Sequence, residues 1–304
     1  MNAVPKSETK TEFSIHPATK VGPVSLTVAN LENQLAFYQQ ALGFQLHRRE
    51  GSEAVLGTGE RELLHLMERA GFKRYRGVTG LYHFAVLFPD RRELARAMAR
   101  LFALKYTNYP TDHIMTKTTY LDDPEGNGIE LYTESPEDGE WIMDETFSAR
   151  RADGTLSNGR EPLDVKALFS HLKEDDKLDV PIPEETRIGH VHLHVRDVDE
   201  AVDFYHGVIG FDVMGNAKTM RAAFVSAGGY HHHIGLNTWQ GEGAPPPPAD
   251  AVGLRYFAVE LPDQSALDEV IARVDETGIS ANQTEEGLLL YDPSQNGVLL
   301  TKKR

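Results

Sequence analysis

The chain has 304 residues, no cysteine, and 46 acidic against 31 basic side chains, for a formal net charge of -15. Zero cysteines exclude disulfides, thiolate zinc sites, iron-sulfur clusters and a cysteine nucleophile, so a transition metal would have to be held by His, Asp or Glu. The acidic balance argues against a surface for nucleic acid or anionic membrane, and at about 150 residues per domain the length suggests two domains.

The N-terminus, MNAVPKSETKTEFSIHP, lacks the apolar core of a secretory signal, and no run approaches the roughly 20 apolar residues of a membrane span; the cytoplasm is the expected compartment. Residues 1–18 read as a polar arm. GPVSLTV (22–28) alternates as a strand, and Leu31, Leu35, Tyr38 and Leu42 follow at helical spacing until Gly43 stops the helix. Short strand-like runs continue to about residue 67. HFAVLF (83–88) opens a second strand, RRELARAMARLFAL (91–104) a second helix, and strands near 115–121 and 128–133 are joined by the turn DPEGNG. Residues 135–186 are acidic and loop-rich, with a short helix near 162–174, and are longer than a simple connector requires. GEGAPPPPAD (241–250) reads as a stiff polyproline loop.

The second half repeats the first. VGPVSLTVANLENQLAFYQQALGF (21–44) aligns without gaps on IGHVHLHVRDVDEAVDFYHGVIGF (188–211), GLYHFAVLFPD (80–90) on GLRYFAVELPD (253–263), and LDDPEGNGIEL (121–131) on LYDPSQNGVLL (290–300), in the same order. The repeating unit is strand-helix-strand-strand-strand. The expected fold is therefore α+β, four βαβββ modules in tandem, divided into an N-terminal pair (19–134), the connector (135–186) and a C-terminal pair (187–304).

These units, the FY…GF endings of two helices and the DPEGNGIEL turn resemble the vicinal oxygen chelate superfamily, which includes glyoxalase I, bleomycin-resistance proteins and type I extradiol ring-cleaving dioxygenases. GLYHFAVL, IGHVHLHV and SAGGYHHHIGLNTW are most similar to the bacterial catechol 2,3-dioxygenases of the Bacillus type. The resemblance covers about residues 20–134 and 186–301. It implies modules paired into curved mixed sheets, or cups, with metal ligands at one inward position on the first strand of each unit and one on the last. Those positions hold Pro23, His83, His190 and Tyr256 on the first strands, and Glu130 and Leu299 after the DP turns.

Pairing the first unit with the second offers Pro23, His83 and Glu130, and pairing the third with the fourth offers His190, Tyr256 and Leu299. Pairing the second with the third gathers His83, Glu130 and His190, the two-His, one-carboxylate set that holds Fe(II) and leaves positions open for a diol and O2; Mn(II) suits the same donors. A rival set, His65, His83 and Glu130, arises if His65 in RELLHLME fills the ligand position that glyoxalase-type proteins use on the last strand of the first unit.

The resemblance also assigns roles near the metal. His232, in the middle of YHHHIGLNTW, matches a histidine that accepts a substrate proton and assists O2 chemistry. Tyr120 matches a tyrosine that hydrogen-bonds near the bound diol, and His113 lies near a histidine that contacts it. Each has a plainer reading: His232 in a polar strand, Tyr120 in the core, Glu130 on a solvated strand. Asp123, Gly126, Asn127 and Gly128 read as turn residues. Strand alternation puts His190, His192 and His194 on one face, the latter two as pocket wall, with Asn237 and Trp239 beside them. The implied activity is extradiol cleavage of catechol or a substituted catechol with O2. Its partners would be that small molecule and O2, with no nucleic acid or membrane, and a homo-oligomer is compatible with it. A glyoxalase-like isomerase or lyase using Zn or Ni, and a metal-free binder resembling bleomycin-resistance proteins, are the other classes the scaffold hosts.

Overall fold

The computed structural model describes residues 13–142 and 147–303, so the first twelve residues of the polar arm lie outside the described residues. The first unit runs β1 (Lys20–Val28), α1 (Leu31–Gln40), β2 (Gln45–Glu50), β3 (Glu53–Thr58) and β4 (Arg61–Glu68). The second comprises β5 (Gly80–Leu87), α2 (Arg91–Ala103), β6 (Tyr109–Asp112), β7 (Thr116–Asp122) and β8 (Gly128–Glu134). The connector contributes β9 (Gly139–Ile142), β10 (Ser148–Arg151), β11 (Leu156–Ser157), β12 (Glu161–Pro162) and α3 (Val165–Phe169). The third unit is β13 (Arg187–His194), α4 (Val198–Val202, extended by a π-helical segment Asp203–Ile209), β14 (Asp212–Ala217), β15 (Ala222–Ser226) and β16 (Ile234–Asn237). The fourth is β17 (Gly253–Leu261), α5 (Gln264–Thr277), β18 (Ala281–Gln283), β19 (Leu288–Tyr291) and β20 (Gly297–Lys302).

Local chemistry repeats with the topology. Asn30, Asp90, Asp197 and Asp263 each cap a helix by accepting a backbone N–H three residues on, which satisfies a donor that the first helical turn leaves open. Asp123 Oδ1 accepts from the backbone N–H groups of Glu125 and Asn127, and Asp292 Oδ1 from those of Ser294 and Asn296, so the two DP turns are the same turn. The second carboxylate oxygen of each accepts a tyrosine hydroxyl from another unit: Tyr38 to Asp123 at 3.0 Å and Tyr205 to Asp292 at 3.1 Å. The FY helices and the DP turns thus bind the first unit to the second and the third to the fourth.

The sheets pair the units differently. One eight-stranded sheet has the order β18-β19-β20-β17-β1-β4-β3-β2, joining the fourth unit to the first; a nine-stranded sheet, β12-β6-β7-β8-β5-β13-β16-β15-β14, joins the second to the third. Both seams are antiparallel, β1 on β17 and β5 on β13, whereas the first and last strands within each unit run parallel. Alternate residues of the central strands, among them Leu26, Phe84, Val191 and Phe257, face one apolar core shared with the inner sides of the helices. The opposite faces form the cups.

The connector is a folded element. Strands β9 to β11 make a small antiparallel sheet, and β12 pairs with β6 to extend the larger cup. Arg100 on α2 donates to the carbonyls of Leu178 and Val180, and Thr58 Oγ1 donates to Ile182 O, which fasten its far end to both N-terminal units. The arm also departs from a purely polar segment: Ile15 is 1% exposed and its N–H donates to Gly210 O. Among the described residues no helix is long and apolar enough to cross a membrane.

Candidate metal centre and pocket

The seam between β5 and β13 places His83 opposite His192 and Ala85 opposite His190, and the parallel pairing of β5 with β8 sets Ala85 beside Glu130. Register shifts flank His190 and His192, which lets side chains from adjacent turns of the pleat reach one point. His83 Nε2 and His190 Nε2 are 3.2 Å apart, and each is 3.1 Å from Glu130 Oε2. All three side chains are buried, and among the described residues this is the one group of three or more metal-binding side chains whose donor atoms converge.

The geometry fits a shared cation. Donors bound at about 2.1 Å and at right angles lie about 3.0 Å apart, close to the observed triangle. Burial lowers the pKa of His190 to about 4, so its ring is neutral at physiological pH. Burial alone would raise that of Glu130, but hydrogen bonds from His190 and then His83 reverse this and hold it well below the ordinary carboxylate value. Thr118 Oγ1 donates to the other oxygen, Glu130 Oε1, at 2.8 Å and orients the carboxylate. Neutral imidazole and ionised carboxylate are the protonation states that a metal ion requires.

His65 does not join this group. It lies on β4 in the other sheet, opposite Ser25 and Val55, and its Nε2 is 2.9 Å from Glu62 Oε2. Of the other first-strand and last-strand positions in that sheet, Pro23 and Leu299 carry no metal-binding group, and the Tyr256 hydroxyl donates to Glu286.

The three donors stand at the floor of a cavity of about 510 Å³ that is also lined by His232, Tyr120 and His113. The His232 ring centroid is 4.1 Å from that of His190. Burial, followed by the neighbouring His190, His231 and His192, keeps the pKa of His232 well below the usual histidine value, so it faces the cavity as a neutral ring rather than one poised near neutrality. His113 Nδ1 donates to Gly159 O at 2.5 Å, and a carbonyl only accepts, so in the neutral ring Nε2 must accept from the Tyr120 hydroxyl at 2.8 Å. Burial, then the Glu130 charge, raises the Tyr120 pKa and keeps that hydroxyl protonated. The turn presenting His113 passes through Ile114 at φ 70°, a costly conformation for a β-branched residue, held by Asp112 Oδ1 accepting from both Ile114 N–H and Lys117 Nζ.

Other residues of the pocket carry no clear sequence signal. The connector supplies Trp141, Phe147 and Arg160. Trp141 stacks on His232 with centroids 5.6 Å apart at 25°, and its indole N–H donates to His113 O at 2.8 Å. The Arg160 guanidinium sits 6.0 Å from the Trp239 ring centroid at the cavity rim. His192 lines the cavity between His83 and Trp239, whereas His194 turns to Asn237 Oδ1 at 2.8 Å and lines a separate, smaller cavity.

Comparison with known proteins places the chain in a family. The model of the Glyoxalase/Bleomycin resistance protein/Dioxygenase superfamily matches residues 20–131 and 187–287. A Bacillus subtilis (strain 168) protein named catechol-2,3-dioxygenase is 44% identical over 283 residues, covering 92% of this chain and 96% of that protein. Among solved structures, a candidate dioxygenase of Bacillus subtilis superposes with a TM-score of 0.60 at 14% identity, covering 97% of this chain and 86% of its own. Glyoxalase I of Zea mays superposes with a TM-score of 0.55, also at 14% identity, over 94% of this chain and 92% of its own. These two likenesses are of fold.

Proposed function

The chain belongs to the glyoxalase/bleomycin resistance protein/dioxygenase superfamily, and on that premise we propose that it is an extradiol dioxygenase that cleaves catechol or a substituted catechol with O2 at a mononuclear Fe(II) site. The observation that carries this reading is the buried triangle of His83, His190 and Glu130 at the floor of a cavity lined by aromatic rings. The name of the 44% identical relative supports it.

Iron bound by these three side chains would supply a Lewis acid for the diol and a redox centre for O2, with Mn(II) able to take the same donors. Two neutral imidazoles and one carboxylate contribute a single negative charge, so a divalent cation leaves the site positive overall and attractive to a catecholate. His232, neutral and accessible from the cavity, takes a diol proton. Tyr120 stays protonated and, with His113, fixes a hydrogen-bonding wall beside the diol. Trp141 and Trp239 bound the space for the aromatic ring, and the connector walls that side of the cup.

The test is anaerobic purification, reconstitution with Fe(II), and addition of a panel of catechols while O2 uptake and the appearance of a yellow ring-opened product are followed. Uptake with product is expected. No uptake with any catechol would end the dioxygenase reading, and turnover of a Zn- or Ni-loaded protein without O2 would favour an isomerase.

A further inference from the structure

Strand β8 alternates Glu130, Tyr132 and Glu134 onto one face, so the strand that carries the carboxylate of the metal triangle also carries a second carboxylate at its end. Glu134 is 31% exposed, and its Oε1 is 3.0 Å from His231 Nε2. His231 Nδ1 is 2.8 Å from His232 Nδ1. A continuous chain of hydrogen bonds therefore runs from the cavity, through two histidine rings, to a carboxylate at the surface. The Tyr230 hydroxyl donates to the same Glu134 oxygen at 2.6 Å and is itself 2.6 Å from the Tyr132 hydroxyl.

The donors and acceptors fix a direction. An ionised carboxylate only accepts, so His231 must present Nε2–H to Glu134. In a neutral His231 ring, Nδ1 is then an acceptor, and His232 must present Nδ1–H to it. That leaves His232 Nε2, which has no protein partner among the described residues, unprotonated on a ring that lines the cavity. The carboxylate is well placed to stay ionised, with two donors on one oxygen.

We propose that Glu134 is a positioning residue which, acting through His231, holds His232 in the tautomer that accepts a proton and provides that proton's exit to solvent. The proposal rests on the dioxygenase reading for the identity of the proton donor, the diol. In the step, the diol O–H bond breaks and its proton goes to His232 Nε2; the proton on His232 Nδ1 passes to His231 Nδ1; and the proton on His231 Nε2 passes to Glu134 Oε1. One proton moves from substrate to carboxylate and no electron moves, so the site keeps its charge balance while the diol becomes anionic. The relation of Glu134 to His231 is that of the acid that orients a catalytic histidine, extended by one ring.

Two measurements test it. In the full-length, metal-free chain labelled with ¹⁵N-histidine, with signals assigned from His231→Gln and His232→Gln, His232 is expected as the Nδ1–H tautomer and His231 as the Nε2–H tautomer at neutral pH. An Nε2–H form of His232, or a doubly protonated His231, overturns the proposal, and this readout is independent of whether the protein turns over catechol. In the iron-loaded enzyme, Glu134→Gln preserves size and the bond from Tyr230 but cannot take a proton. Its kcat should fall about 10- to 100-fold with KM unchanged and a larger solvent deuterium effect, and Glu134→Asp should recover part of the loss. An undiminished kcat in Glu134→Gln likewise overturns it.

Discussion

At the scale of single residues, the proposed metal centre is a set of atoms that turn toward one point because a strand seam and two register shifts bring them there. Substituting His83, Glu130 or His190 by Ala should each abolish stoichiometric iron in the reconstituted protein, measured by metal analysis, whereas His65→Ala should retain it because His65 lies in the other sheet against Glu62. Gly189 precedes His190, and a Cβ there would overlap the hydroxyl of the fully buried Tyr132. Gly189→Ala should therefore cost about 1–3 kcal/mol in urea unfolding, the usual range for an overpacked core. His233 gives a pH dependence. Burial, and then the charges of Lys20 and Arg187, lower its pKa to about 3 from an ordinary 6.5. Between those values the unfolded chain binds the proton more readily than the folded one, so stability rises with pH and is lost as pH falls from 6.5 toward 3, by as much as roughly 4 kcal/mol. The melting temperature should drop across that interval, with a shallower slope in His233→Phe. Much of this proposed site was legible in the sequence, since the ligand positions that the family resemblance implies fall on His83, Glu130 and His190. The placement of His65 in the other sheet was not, because it depends on which units share a sheet, a non-local property that no spacing encodes.

At the scale of elements, the connector becomes part of the pocket. Its strands are two to four residues long, too short for alternation to be read, and β12 exists only as an edge on β6. Trp141 therefore carried no signal in the sequence, although it packs on His232 and bonds to the backbone of His113. For the proposed reaction, Trp141→Ala should raise KM about 2- to 10-fold, the value of one aromatic contact, while iron content stays unchanged. His113 was hard to align for a related reason: the left-handed residue after it takes the chain out of the strand register that the other candidates obey. The helices were the most legible elements, because capping residues and apolar spacing are local signals; the prediction to residue 42 for the first helix overran only its last turn.

At the scale of the whole molecule, the two kinds of contact between units connect them in a closed cycle. Tyrosine-to-aspartate bonds join the first unit to the second and the third to the fourth, while the sheet seams join the second to the third and the fourth to the first. The first strand of the first unit and the last residues of the fourth both lie at the last of these links: Lys20 lies opposite Glu260, and the N–H of Lys303 donates to Leu261 O. A cycle has no privileged starting point, so the present order of units is one of several that the same contacts would accept. A circular permutant that links the end of β20 to the start of β1 and opens the chain at Gly71, a left-handed residue with open space around it, would make each cup from one uninterrupted half. Its β1–β17 seam would then close over a shorter stretch of chain while the β5–β13 seam keeps its present separation, and the permutant should bind metal as well as the native order does.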